Sequence, residues 1–241
     1  MKISIITFTL GNRKYYLDKQ IQFVLESVLE VRHHLSIEHF VVHQGGEMKY
    51  ESPKQSFRGY TFEAIQFPVN VGIGQGLNQI VPMCTGDFIL KLDDDAIPVN
   101  QGFFNAAEAI CARFTDSVWS PYPVGLINNP GGPRGYKHAV YQTESDNYTM
   151  RFVHHVGGFA RFAPTNLMKG FRFEPDLISG ISGNEDGQFS AYCLRNNIPM
   201  FYLENGAVVE HAESTLGQIA RYPEYFASRI NESNMKFEVF T

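Results

Sequence analysis

Asn70–Pro98, NVGIGQGLNQIVPMCTGDFILKLDDDAIP, holds the pattern that decides the fold. A glycine-rich turn opens it, and helical spacing predicts a helix from about Gly74 to Met83. Asp87 to Leu92 then reads as a buried strand that ends directly in Asp93, Asp94 and Asp95. Upstream, Lys2 to Thr7 is an isoleucine-rich strand, Tyr16 to Val31 has apolar residues at helical spacing, and Glu38 to His43 and Ala64 to Phe67 are further strands. This alternation predicts a parallel sheet with right-handed crossovers. Ligands on such sheets bind beyond the carboxyl ends of the strands, which is where the three aspartates fall.

Downstream, a helix is expected near Phe103 to Phe114, a strand at Phe159 to Ala163, a helix at Asp186 to Arg195, and strands at Met200 to Leu203 and Ala207 to Glu210. The last two are parted by a turn at Asn205-Gly206. Pro121 to Asn147 is dense in Pro, Gly, Asn and Tyr, the composition of a binding loop or lid. With 241 residues, 44% of them hydrophobic, the chain suits a single domain over 1–241. A nucleotide-binding half of about 1–98 would precede an acceptor-facing half of about 99–241.

A formal net charge of −5 argues against a protein that coats nucleic acid. No stretch reaches the roughly 20 apolar residues of a membrane helix, and the N-terminal apolar run is too short for a signal peptide. The expectation is a cytoplasmic protein, free or held peripherally at a membrane. Cys84, Cys111 and Cys193 lack metal-ligand spacing and read as buried thiols.

Three adjacent carboxylates repel one another unless a cation joins them, and Mn²⁺ or Mg²⁺ suits an all-oxygen cluster. Alternation along an extended backbone would put Asp93 and Asp95 on one side and Asp94 on the other. A solvated acidic turn is the plainer alternative. The Asn70–Asn78 segment contains G-x-G but not the dinucleotide fingerprint, and it follows the third strand, so its glycines would let a nucleotide approach or let the helix pack on the sheet. Glu185 and Asp186 open a helix, where carboxylates either cap or supply a general base. His211 ends the strand AVVE, either as a structural residue or as a neutral metal ligand.

In this order the pieces resemble the inverting family 2 glycosyltransferases of GT-A fold, from Ile3 through His211. Asn70–Pro98 is similar to the family's helix opening, strand and DXD-type metal motif; Gly157–Pro175 with Gly183–Asn197 to its Gly-Gly strand and Glu-Asp helix; and VVEH to its late histidine strand. The resemblance implies a Rossmann-like α/β/α sandwich with a mostly parallel central sheet. Asp95 and His211 would hold Mn²⁺ or Mg²⁺, with Asp93 on the metal or the donor ribose. Asp186 would be the catalytic base and Glu185 would shape the acceptor site. Thr9 and Gln44 would face the base, Gly158 the donor sugar, and Asn70, Gly72, Asn78 and Asp94 would complete the donor site. His43-Gln44-Gly45-Gly46 stands where the family often has Asp-Asp-Gly-Ser, and Leu77 where it often has arginine.

The expected reaction is metal-dependent transfer of a hexosyl or pentosyl group from a UDP-sugar to an acceptor hydroxyl, with inversion. The acceptor stays open among glycans, lipid-linked sugars, proteins, small molecules and modified nucleic acid. A sugar nucleotidyltransferase and a non-catalytic nucleotide-sugar-binding protein are the alternatives; Leu10-Gly11-Asn12-Arg13 is a poor match to the basic Gly-rich loop of the former.

Overall fold

The computed structural model describes residues 1–30, 35–46, 55–57, 59–124, 138–175 and 185–213. The first half alternates as the apolar pattern requires: β1 (Lys2–Thr9), α1 (Lys14–Glu30), β2 (Ser36–Gln44), β3 (Gln55–Phe57), β4 (Tyr60–Phe67), α2 (Ile73–Ile80) with a 3₁₀ turn at Val81–Met83, and β5 (Phe88–Asp93). β6 (Ala96–Pro98), α3 (Phe103–Arg113), β7 (Val118–Ser120), β8 (Tyr122–Val124), β9 (His138–Gln142) and β10 (Asn147–Phe152) follow. Among the described residues β11 (Ala160–Pro164), α4 (Thr165–Lys169), α5 (Glu185–Arg195), β12 (Met200–Leu203) and β13 (Val208–His211) come last.

Among the described residues ten strands form one sheet in the order β3-β4-β2-β1-β5-β11-β7-β12-β10-β9. β4, β2, β1 and β5 are mutually parallel, which is the parallel sheet read from the sequence. Beyond β5 the sheet is mixed: β11 is antiparallel to β5 and β7, and β12 is parallel to β7. A second, three-stranded sheet runs β6-β13-β8. One apolar cluster packs Ile3, Ile5, Leu90 and Leu92 against Phe103, Phe104 and Trp119, and another packs Ile6, Phe8 and Ile89 against Leu77, Ile80 and Phe189. Gly76 lets α2 lie on β1, since a Cβ there would collide with the Phe8 ring. The three cysteines are buried and free, as expected.

Pro121 to Asn147 is not wholly irregular. β8 and β9 occupy parts of it, and residues 125–137 lie outside the described residues, as does any lid role for them. Tyr122 and Val124 go into β8 because that strand is paired by β13, far away in sequence. No described helix is long and apolar enough to cross a membrane.

Candidate active site

The carboxyl ends of β1, β2 and β5 gather the acidic triplet and its neighbours. β5 stops at Asp93 and the chain turns through Asp94 and Asp95 into β6. The turn breaks the strand alternation expected for the triplet. Asp94 and Asp95 both face Arg13: its Nη1 is 3.1 Å from Asp94 Oδ1 and 3.2 Å from Asp95 Oδ2. Asp93 instead pairs with Lys91, two residues back on the same strand face. Thr9 donates to Asp94 Oδ2 at 2.8 Å and accepts from Gly11 N–H, so it holds the acidic turn against the loop after β1. Burial pushes the Asp94 carboxyl up to about 6 against the pull of Arg13, and burial raises Asp95 as well.

His211 arrives through strand pairing. β13 runs antiparallel to β6 with His211 opposite Ala96, and Ala212 N–H donates to Asp95 C=O at 2.9 Å. This places His211 Nε2 3.4 Å from Asp95 Oδ2. The ring lies against Phe159, centroids 5.1 Å apart, and Nδ1 is 2.9 Å from the Glu213 carbonyl. With Nδ1 turned to that carbonyl, Nε2 is the ring nitrogen on the Asp95 side, the one a metal would take. Asp95 is fully buried, and neither carboxylate oxygen accepts a hydrogen bond. Asp95 and His211 thus fit a divalent cation. Asp93 does not join them as a ready third ligand, and no group of three His, Cys, Asp or Glu able to hold a metal occurs among the described residues.

A second charged cluster adjoins the first. Lys91 on β5 and Arg161 on β11 are register partners, each only 1% exposed. Two like charges opposite one another in a dry sheet require anions, and Asp93, Glu185 and Asp186 supply them. Lys91 Nζ bridges Asp93 and the Gly158 carbonyl. Arg161 lies over the Phe189 ring, 4.7 Å from its centroid, and neither of its terminal nitrogens donates a hydrogen bond. Gly158 joins the parts: its N–H is 3.4 Å from Asp186 Oδ2, and a Cβ on it would lie 2.6 Å from Glu185 Oε1. A side chain there would displace the Glu185 carboxyl.

The two helix-start carboxylates differ sharply. Asp186 is partly exposed; burial pushes its pKa up, but the His155 hydrogen bond and charge, the Arg161 charge and the Gly187 N–H outweigh it and hold the carboxyl well below the usual range. His155 Nε2 stands 3.5 Å from Asp186 Oδ2 and Gly187 N–H donates to Oδ1 at 2.8 Å. Glu185 is buried, and burial pushes it up to about 7. The folded protein therefore prefers neutral Glu185, a preference fully expressed below pH 4.5 and lost as pH rises through 7. Glu185→Gln should gain stability relative to wild type on going from pH 5 to pH 8, by on the order of 3 kcal/mol. Denaturant unfolding at the two pH values checks this, and an equal difference at both would contradict it.

The other expected donor residues are taken up in contacts of their own around α2. Gln44 Oε1 accepts from Val71 N–H at 2.9 Å, and Asn70 Oδ1 accepts from Gly72 N–H at 2.9 Å, so both shape the turn into α2. Gly72, at φ 77°, is the residue before that helix. Asn78 uses both ends of its amide on the Phe173 backbone, at 2.8 and 2.9 Å, and lines a groove of about 300 Å³ between α2 and α4. That geometry makes it a clamp between segments. Arg13, Gln20, Lys91, His155, Arg161 and Glu213 were not singled out from the sequence. Lys91 and Arg161 carried a usable signal: a lone cation inside each otherwise apolar strand, FILKL and ARFAP.

The parallel strands β4, β2, β1 and β5 continued by a mixed sheet, with an acidic turn at the strand ends, are the architecture of GT-A glycosyltransferases. Residues 4–172 match the family model for glycosyl transferase family 2, and the chain belongs to that family. Among solved structures it is similar to S. aureus TarS 1-349, with 18% identity and a TM-score of 0.62 over 98% of this chain and 67% of that one. The same fragment is known with UDP-GlcNAc, at 17% identity and a TM-score of 0.60 over 98% of this chain and 68% of that one. Against the longer TarS structure the chain covers 41% of the other chain, with 98% of its own length, 17% identity and a TM-score of 0.59. GalNAc-T7 with UDP, GalNAc and Mn²⁺ aligns at 12% identity and a TM-score of 0.64, over 90% of this chain and 44% of that one. No curated protein matches the chain significantly in sequence.

Proposed function

We propose that the protein transfers a sugar from a nucleoside diphosphate donor, UDP-linked, to an acceptor hydroxyl by a single displacement with inversion. The observation that carries this reading is the pair Asp95 with His211 beside Asp93, whose own contacts run through Lys91 and Gly158 to Asp186 at the start of α5. The structures of TarS with UDP-GlcNAc and of GalNAc-T7 with UDP and Mn²⁺ support the choice of donor and cation. Asp95 and His211 would hold Mn²⁺ or Mg²⁺, whose chemistry is to neutralise charge growing on the departing diphosphate. Asp93 and the strand-end loops would seat the ribose and base. Asp186, held as an anion, takes the proton from the acceptor hydroxyl as that oxygen attacks the anomeric carbon. One base and one displacement invert the centre. Glu185, next to it, is protonated below about pH 7 and in that form could donate a hydrogen bond to the acceptor side of the cleft.

Thermal unfolding with a panel of nucleotide-sugars, each with and without Mn²⁺, tests the proposal. A ligand at 100 times its Kd stabilises a native state by about 2.7 kcal/mol, so a UDP-sugar with Mn²⁺ should raise the midpoint by several degrees, and the gain should vanish with chelator. Transfer should release UDP. Release of pyrophosphate from a nucleoside triphosphate would favour a nucleotidyltransferase instead.

A further inference from the structure

Gln20 lies on α1, fully buried, and its side chain reaches the acidic turn from beneath. Its Nε2 donates to the Asp93 carbonyl at 2.7 Å and to the Ala96 carbonyl at 2.6 Å, spanning both ends of the turn. Two carbonyls demand two N–H donors, so the amide has one allowed orientation and its Oε1 faces Thr7. Thr7 Oγ1 donates to that oxygen at 2.8 Å. The hydroxyl has one proton, so at 3.2 Å from His39 Nε2 it must accept, and the imidazole carries its proton on Nε2. His39 Nδ1, 3.1 Å from Tyr60 Oη, then accepts from the phenol. A single donor direction runs from Tyr60 on β4 through His39 on β2 and Thr7 on β1 to Gln20. The direction requires a neutral imidazole, and burial lowers His39 to about 3.

We infer that Gln20 is a positioning residue for the donor and cation site: it sets the backbone of the Asp93–Ala96 turn, and the Tyr60–His39–Thr7 chain sets the polarity of its amide. Other anchors of that turn are Phe159 C=O on Asp93 N–H, Ala212 N–H on Asp95 C=O, and Thr9 and Arg13 on the Asp94 and Asp95 side chains. Among the described residues only Gln20 takes the carbonyls of both Asp93 and Ala96. Removing its donors buries two carbonyls without partners in the segment that aims Asp95 at His211. The inference rests on the donor reading proposed above.

Gln20→Met keeps the length and fill of the side chain and removes both donors; Thr7→Val removes the hydroxyl that fixes the amide. Amide hydrogen exchange of the ligand-free protein reads the turn directly, and calorimetry with UDP plus Mn²⁺ reads its consequence. Gln20→Met should speed exchange at the Asp94, Asp95 and Ala96 amides at least tenfold, leave β2 protection unchanged, and weaken UDP–Mn²⁺ binding at least tenfold. Thr7→Val should move both in the same direction by less, and it carries the test if the first variant fails to fold. Wild-type exchange at the turn, or wild-type affinity with only a lowered midpoint, overturns the inference. If wild-type protein itself binds no UDP with Mn²⁺, the donor reading fails and the inference that rests on it falls with it, while the exchange data still show whether Gln20 orders the turn.

Discussion

Asp186→Asn is expected to reduce sugar transfer by about 10²- to 10⁴-fold, the range typical of general-base help, with donor affinity within about twofold of wild type. Asparagine matches aspartate in shape but cannot take a proton. In the native site Gly158 and Gly187 N–H, His155 and Arg161 all favour the anion, so the carboxylate is ready at neutral pH. Because its pKa lies below the usual carboxylate range, lowering pH from 7 to 5 should not protonate it. An acid-side loss of rate in that window must come from another group. Initial rates measured beside donor calorimetry check the pair of expectations, and full transfer activity in the variant would remove Asp186 from the base role.

Asp95→Ala should have the second large effect, an at least ~100-fold loss of cation-dependent donor affinity. Groups that merely orient a metal ligand are worth about 10- to 100-fold in affinity, and Asp95 is proposed as a ligand itself. Arg13 would remain paired with Asp94 and Glu213, so the variant leaves no stranded guanidinium. The thermal midpoint without ligand should therefore change little beside the loss of binding. Calorimetry of UDP with Mn²⁺ and with chelator separates the two: wild-type protein should lose affinity on chelation, and the variant should show the low value in both conditions.

Much of this was legible in the chain. Continuous apolar runs located β1, β2 and β5, and helical spacing α1, α2, α3 and α5, within a few residues, because the strands are buried on both faces and the helices on one. The site was legible where it followed such a signal: Asp93–Asp95 at the end of a wholly buried strand, Glu185-Asp186 at a helix start and His211 at a strand end. What the sequence hid depends on partners far away. β6 and β8 are three residues long and exist because β13 pairs with both. The aspartates depart from strand alternation because the strand ends one residue into the triplet, after which a turn aims Asp94 and Asp95 together at Arg13. Gln20 resembles any polar residue on an amphipathic helix. Only the fold puts it under the turn.

The most direct measurement is anomalous scattering from crystals soaked with Mn²⁺ and UDP. A single strong peak within coordination distance of both an Asp95 oxygen and His211 Nε2 is expected, with diphosphate oxygens completing the shell. A peak away from these two residues, or UDP bound in full with no peak between them, would contradict the proposed site.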